Sequence, residues 1–135
     1  MPIMSQMSIL RLFCTHLVEF ASEVAAIFPH DADIRATKVF LQGLKKINPK
    51  ALAAGWHDWV GKPYRGQIEN GDFEFFVNKD YTHDIGVGTS NNSKEILKSI
   101  DIIRAKIRLM SDDNRAKSMK YIQNLTKLGD MYFSK

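Results

Sequence analysis

Hydrophobic side chains recur every three or four residues in two long stretches, residues 8–28 and residues 93–110. The first stripe consists of Leu10, Phe13, Leu17, Phe20, Val24 and Ile27. The second consists of Ile96, Ile100, Ile103, Ile107 and Met110. This period is typical of amphipathic α-helices with one buried face. The pattern therefore predicts two helices that pack at the centre of the fold.

Boundary signals predict two further helices between these stretches. Asp31 is suited to cap a second helix, whose apolar stripe comprises Ile34, Leu41, Leu44 and Ile47. Asn48 followed by Pro49 has the pattern of an N-cap and a first helical residue, and predicts a third helix to about Val60. Gly61 and Pro63 are expected to end this third helix.

Two more segments complete the predicted secondary structure. Ser111 is suited to cap a last helix, which Gly129 should end, leaving residues 128–135 as a tail. The aromatic segment "GDFEFFVNKDYTHDIG" follows an Asn-Gly turn signal, and Asp72 is suited to cap a short helix over residues 72–81. Apolar and polar side chains alternate here as well, which leaves a local β-hairpin near residues 64–77 as an alternative.

These elements predict an all-α fold, a compact irregular bundle of five or six helices that forms one domain over residues 1–135. The length of 135 residues suits a single domain with its own core. A hydrophobic content of 44% and a charged content of 25% are ordinary for a globular protein, and no uninterrupted apolar run reaches the length of a membrane span.

The single cysteine and the N-terminal sequence bear on the compartment. Cys14 lies within an apolar helical pattern and has no second cysteine with which to form an internal disulfide. No basic residue precedes the apolar part of the N-terminal segment, so no signal peptide is predicted. We therefore expect an intracellular, reducing compartment and no secretion.

The sequence contains few residues in patterns typical of a metal site or a catalytic site. The four histidines form no His-x-x-x-His pair and the chain contains no Cys-x-x-Cys, so we predict no metal site and no cofactor. His57 and His83 each precede an aspartate, which suggests general-base chemistry, but adjacent residues on a helix do not face each other. We therefore predict no catalytic residues, and a hydrolase or nuclease is the least favoured hypothesis.

Positive charge is concentrated in the last third of the chain, although the net charge is only +4. Residues 1–93 carry nine lysines and arginines against ten acids, a charge of −1, whereas residues 94–135 carry ten against five, a charge of +5. The candidate anion-binding or nucleic-acid-binding side chains are Lys94, Lys98, Arg104, Arg108 and Arg115. A solvated helical face explains the same pattern, because no nucleic-acid-binding motif accompanies it.

Aromatic side chains cluster in the middle of the sequence and recur at its C-terminus. Most of them should serve the core, but their density favours an additional protein-binding patch, because aromatic residues dominate interface hot spots. The candidate interaction residues are Trp56, Trp59, Tyr64, Phe75, Tyr132 and Phe133.

A run of short motifs between residues 28 and 81 carries a resemblance to a known group of proteins. The motifs are "FPHDADI", "INPKAL", "WHDWV" and "IENGDFEFFVNKDY". In their order they resemble small helical proteins of large eukaryotic DNA viruses, some of which are virion components. The resemblance implies a helical protein of the host cytoplasm or the virion, and it brings no catalytic motif or functional residue with it.

Together these observations favour a non-enzymatic structural or protein-interaction subunit, and the resemblance implies a virion-associated, minor capsid component. Its partners would be other protein subunits in a homo- or hetero-oligomeric assembly. The alternative is a nucleic-acid-associated protein that binds phosphates through its basic C-terminal helices.

Overall fold

The described part of the chain folds into six α-helices around one continuous core, which confirms the all-α prediction. The computed structural model describes residues 5–72, 74–75 and 93–133, and only the backbone of residues 59, 62, 63 and 93. The helices are α1 (Gln6–Ile27), α2 (Ala32–Ile47), α3 (Pro49–Trp56), α4 (Lys62–Glu69), α5 (Ser93–Arg108) and α6 (Asp112–Phe133). A π-helical turn, His57–Gly61, joins α3 to α4. These ranges contain no strand, and α4 occupies the first part of the alternative hairpin.

Helix α1 lies at the centre, where it contacts α2, α3, α5 and α6. Its buried residues extend well beyond a single stripe: Ile9, Leu10, Phe13, Cys14, Leu17, Phe20, Ala21, Val24 and Ala25. Because this apolar surface is wide, α1 can pack against several helices at once. Its most extensive neighbour is α6, whereas α5 packs mainly against α2 and α3.

The caps predicted at Asp31 and Ser111 are confirmed, whereas the one predicted at Asn48 is not. The Asp31 side chain accepts a hydrogen bond from the Ile34 N–H at 3.0 Å, and the Ser111 hydroxyl accepts one from Asn114 at 3.4 Å. Asn48 precedes α3 as expected, but its side chain makes no capping bond. Its backbone N–H instead donates to the Leu44 carbonyl at 2.7 Å, so Asn48 serves mainly to end α2.

The prediction that Gly61 and Pro63 end the third helix is wrong. Gly61 keeps right-handed helical angles (φ −62°, ψ −55°), and the chain continues through the π turn into α4. Proline removes one backbone hydrogen bond from a helix, and a π turn is a common place for a helix to bend. The bend falls at Tyr64, which has non-helical angles (φ −123°, ψ 25°).

The prediction that Gly129 ends the last helix is also wrong, because α6 continues to Phe133. Gly129 is buried and faces Phe13 of α1, so tertiary packing holds this part of α6 in helical form. Packing of this kind overrides the weak helix propensity of glycine. Tyr132 and Phe133 therefore belong to a helix rather than to a tail.

A left-handed glycine ends α4, at the predicted Asn-Gly turn. Gly71 has φ 70°, and its N–H bonds to the Ile68 carbonyl at 2.9 Å while the Asp72 N–H bonds to Gln67 at 2.8 Å. This pair of bonds is a Schellman motif. The Asp72 carboxylate then accepts from the Phe75 N–H at 3.1 Å, as expected of an N-cap. The rest of the predicted helix over residues 72–81, apart from residues 74–75, lies outside the described residues.

Cys14 is buried at 1% exposure, in accordance with its place in the apolar stripe. Its thiol donates to the Pro49 carbonyl across 3.5 Å, and burial raises its pKa to about 11. Because the thiolate is the reactive form of cysteine, Cys14 acts as a core residue that links α1 to the start of α3.

The α3 helix is fixed against α5 and α6 by one close approach and one buried hydrogen bond. A Cβ atom at Gly55 would lie 2.6 Å from Cγ2 of Ile96, so only glycine allows this approach. The next residue, Trp56, is 2% exposed, and its indole N–H donates to the Thr126 hydroxyl at 3.1 Å. Thr126 in turn donates to the Ile122 carbonyl at 2.9 Å, so the buried polar groups are satisfied.

We predict that Gly55→Ala lowers the free energy of unfolding by about 1–3 kcal/mol, because the new methyl group overpacks the contact with Ile96. The matched control is Gly43→Ala in α2, where no atom lies within 4 Å of the added Cβ. That substitution should stabilise the protein by about 1 kcal/mol through helix propensity. Urea denaturation followed by circular dichroism measures both, and equal effects of the two substitutions would contradict this packing.

Candidate functional site

The π turn brings His57 against the end of α6. The His57 ring stacks on Phe133, with ring centres 4.5 Å apart and planes inclined by 29°. Tyr132 meets Phe133 edge-on at 4.9 Å. These separations are those of favourable aromatic contacts. Together with Arg65 and Asp130, these three residues form what we call the α6-terminal surface.

An ion pair borders this surface. The Arg65 guanidinium donates two hydrogen bonds to Asp130, from Nε to Oδ2 at 2.9 Å and from Nη2 to Oδ1 at 2.6 Å. The Asp130 carboxylate raises the pKa of Arg65. A two-point contact of this kind fixes geometry more than a single bond does, although an exposed pair contributes only about 0–1 kcal/mol to stability. The pair therefore positions α4 relative to the end of α6.

His57 and Asp130 do not form a hydrogen-bonded pair in this structure. The His57 Nδ1 lies 3.7 Å from the Asp130 Oδ1, which is too long for a direct hydrogen bond. Both oxygens of Asp130 are engaged by Arg65. A general base needs a partner within hydrogen-bond reach that orients its ring, and this geometry does not supply one. His83, the other candidate base, lies outside the described residues.

The aromatic candidates are distributed over the core and two separate surface contacts. Trp56 lies in the core, which removes it from the side chains that a partner could contact in this fold. Tyr64 and Phe75, both partly buried, contact each other with ring centres 5.3 Å apart. Tyr132 and Phe133 lie together on the α6-terminal surface. The side chain of Trp59 lies outside the described residues.

The basic candidates do not form one uniform charged face. Lys94, Lys98 and Arg108 are exposed on α5. Arg104 is only 14% exposed, and its Nε lies 3.3 Å from the Asp101 carboxylate. Arg115 donates from Nη2 to the Arg108 carbonyl at 2.6 Å, which ties the start of α6 to the end of α5. Arg104 and Arg115 thus have structural partners on α5.

Sequence reasoning missed a further contact of α5. Lys106 forms an ion pair with Asp31, the residue that caps α2, and its Nζ lies 6.0 Å from the centre of the Phe28 ring. Hydrogen bonds from Lys106 and from the Ile34 backbone lower the pKa of Asp31. The spacing along the chain gives no signal of this contact, because it depends on how α5 lies across the α1–α2 connection.

A pocket of about 490 Å³ lies between α1 and α6, and sequence reasoning missed it as well. Tyr121 of α6 stacks on Phe20 of α1 at 5.1 Å, with planes inclined by 13°, and contacts His16 at 4.7 Å. The spacing of His16 and Phe20 places both on one face of α1. Their partner Tyr121 is too distant in sequence to be inferred from any spacing.

Neither a metal centre nor a membrane span is found in the part of the chain that the structure describes. Within residues 5–72, 74–75 and 93–133, no three histidine, cysteine or acidic side chains are grouped so that they could hold a metal ion. No helix in these ranges combines the length and the apolar character needed to cross a bilayer. Comparison with known proteins finds no matching family model, no matching curated protein and no matching solved structure.

We predict that His16 makes stability depend on pH. Burial lowers its pKa, partly offset by Glu19, and its Nε2 has no hydrogen-bond partner among the described residues. The unfolded state therefore binds the proton more readily, so the free energy of unfolding falls as the pH falls below the usual histidine value of 6.5.

This prediction can be checked by urea denaturation at pH 7.5 and 5.5, values chosen on the two sides of the ordinary histidine pKa of about 6.5. His16→Gln should lose less stability on acidification than the wild-type protein does. His30→Gln, at an exposed position, is the matched control and should behave as wild type. The same acid-induced loss in His16→Gln as in wild type would contradict the prediction.

Proposed function

We propose that the protein is a non-enzymatic subunit of a protein assembly and that it docks through the α6-terminal surface. The observation that carries this proposal is that Phe133 is 40% exposed although its ring is held against His57 and Tyr132. An aromatic ring that is already fixed loses little conformational freedom on binding. Aromatic side chains are also enriched at the centres of protein interfaces.

The surroundings of Phe133 support the same proposal. Met131, its neighbour in α6, is 42% exposed and adds flexible apolar surface. The Arg65–Asp130 pair supplies polar groups at the edge, since these side chains are 45% and 31% exposed. An apolar centre with a polar rim is the usual anatomy of a protein interface.

The absence of an oriented base at His57 supports a non-enzymatic role. The Asp130 carboxylate, which could orient the imidazole, is committed to Arg65 at 2.6 and 2.9 Å. In this arrangement His57 stacks on Phe133 and makes no hydrogen bond to Asp130, so the ring lacks an orienting partner of the kind that a general base uses. The motifs between residues 28 and 81 extend the proposal to a virion-associated, minor capsid subunit.

The test compares Phe133→Ser with Val39→Ser in the full-length chain. Val39 is 65% exposed on α2, so its substitution removes exposed apolar surface elsewhere. In extracts of the native source, wild type and Val39→Ser should sediment with a larger assembly, whereas Phe133→Ser should sediment as a monomer. Loss of one central aromatic contact costs about 2 kcal/mol or more, roughly a thirtyfold weaker association.

Two results would overturn this proposal. One is a wild-type chain that sediments as a monomer without partners in the native extract. The other is a Phe133→Ser chain that stays in the assembly as fully as wild type does. Circular dichroism spectra of both variants establish that any loss of association is not a loss of folding.

Nucleic-acid association is the second candidate function, and the exposure of Lys94 and Lys98 one turn apart on α5 is what favours it. Phosphate contacts by such lysines would release counterions and make affinity fall steeply with salt. Lys94→Glu combined with Lys98→Glu should then weaken binding to unrelated duplex DNA, measured by fluorescence anisotropy. An absence of binding by the wild-type chain even at low salt would eliminate this candidate.

A further inference from the structure

The pocket between α1 and α6 has the size of a small-molecule site. Its volume of about 490 Å³ falls within the range of about 300–1,000 Å³ that is usual for ligand pockets. Val24 and Ile27 of α1 and Met110, at the start of the connection to α6, form its apolar wall. Met110 is held in place by the Ser118 hydroxyl, which donates to its sulfur at 3.3 Å.

The inner part of the pocket is aromatic. Phe20 is 1% exposed and supports the partly exposed Tyr121 ring, which it stacks against almost in parallel. His16 lies on the same side of α1 and also touches Tyr121. A flat aromatic molecule can lie against such rings in the offset or edge-on geometry that aromatic pairs prefer. These aromatic side chains therefore favour the binding of a planar ring system over that of a flexible alkyl chain.

The rim of the pocket carries more positive than negative charge. Lys117 and Lys120 line it from α6 and Glu23 lines it from α1, so these three side chains sum to +1. All three are exposed, and among the described residues neither lysine takes part in an ion pair. Asn114 and Asn124 add amide groups that can donate to an anionic oxygen.

We propose that this pocket binds a small anion with a planar aromatic body. The ring system lies against Tyr121, whose ring rests on the buried Phe20, and the acidic group lies at the rim near Lys117 and Lys120. A carboxylate, sulfonate or phosphate would satisfy the lysines equally, because each presents negatively charged oxygens. The site lies on a different part of α6 from Phe133 and is independent of the α6-terminal surface.

The experiment uses anilinonaphthalene sulfonate as the probe and the folded full-length chain as the receptor. Titration calorimetry should give one bound probe per chain. Combining Lys117→Glu with Lys120→Glu should weaken binding about tenfold or more, since a loss of 1.4 kcal/mol is tenfold in affinity. Lys127→Glu changes an exposed lysine of the same helix outside the pocket and should leave the affinity unchanged.

A second pair of variants tests the apolar part of the pocket. Ala26 lines the pocket and is exposed, so Ala26→Trp should fill the space without disturbing the core and should weaken probe binding about tenfold. Ala36→Trp, at an exposed position of α2, is the matched control and should bind as wild type. Circular dichroism confirms that each variant is folded before its affinity is compared.

Three outcomes would overturn the proposal. The first is an absence of saturable binding, or binding of several probes per chain. The second is equal affinity of wild type and both pocket variants. The third is that dodecanoate, an anion without an aromatic body, binds at this pocket as tightly as the probe does. Competition by an aromatic carboxylate and an aromatic phosphate then distinguishes which acidic group the lysines prefer.

Discussion

The arrangement of the second half of the fold depends on the buried hydrogen bond between Trp56 and Thr126. The indole N–H reaches the hydroxyl at 3.1 Å and both residues are buried, so breaking the bond would leave a buried donor unsatisfied. The bond holds the end of α3 against the middle of α6. The π turn begins at the next residue, so the same constraint sets where His57 emerges and which side chains of α6 it meets.

Local signals in the sequence were sufficient to predict where helices form but not where each helical segment ends. The stripes of α1 and α5 and the caps at Asp31 and Ser111 were predictable, because their causes lie within a few residues. Gly61 and Gly129 carry the usual signals of helix ends, yet both remain helical. At Gly129 the reason is burial against Phe13, which no local pattern reveals.

The candidate surfaces were predictable only in part, because they too depend on contacts between residues that are far apart in sequence. Phe133 was identified from its residue type, but its contact with His57 depends on the extension of α6 beyond Gly129 and on the π turn. The pocket depends on the packing of Tyr121 against Phe20 of α1, and these two residues are far apart in sequence. Helix α6 thus carries both surfaces, the pocket along its first half and the aromatic contact at its end.

The measurement that tests this account most directly is a nuclear Overhauser experiment between the rings of His57 and Phe133. Cross-peaks between the two rings are expected, since the ring centres are 4.5 Å apart, together with helical chemical shifts through residue 133. Random-coil shifts after Gly129 and no cross-peak between the two rings would contradict this account. That result would mean that Phe133 lies in a non-helical tail and that the α6-terminal surface, on which the proposed function rests, does not form.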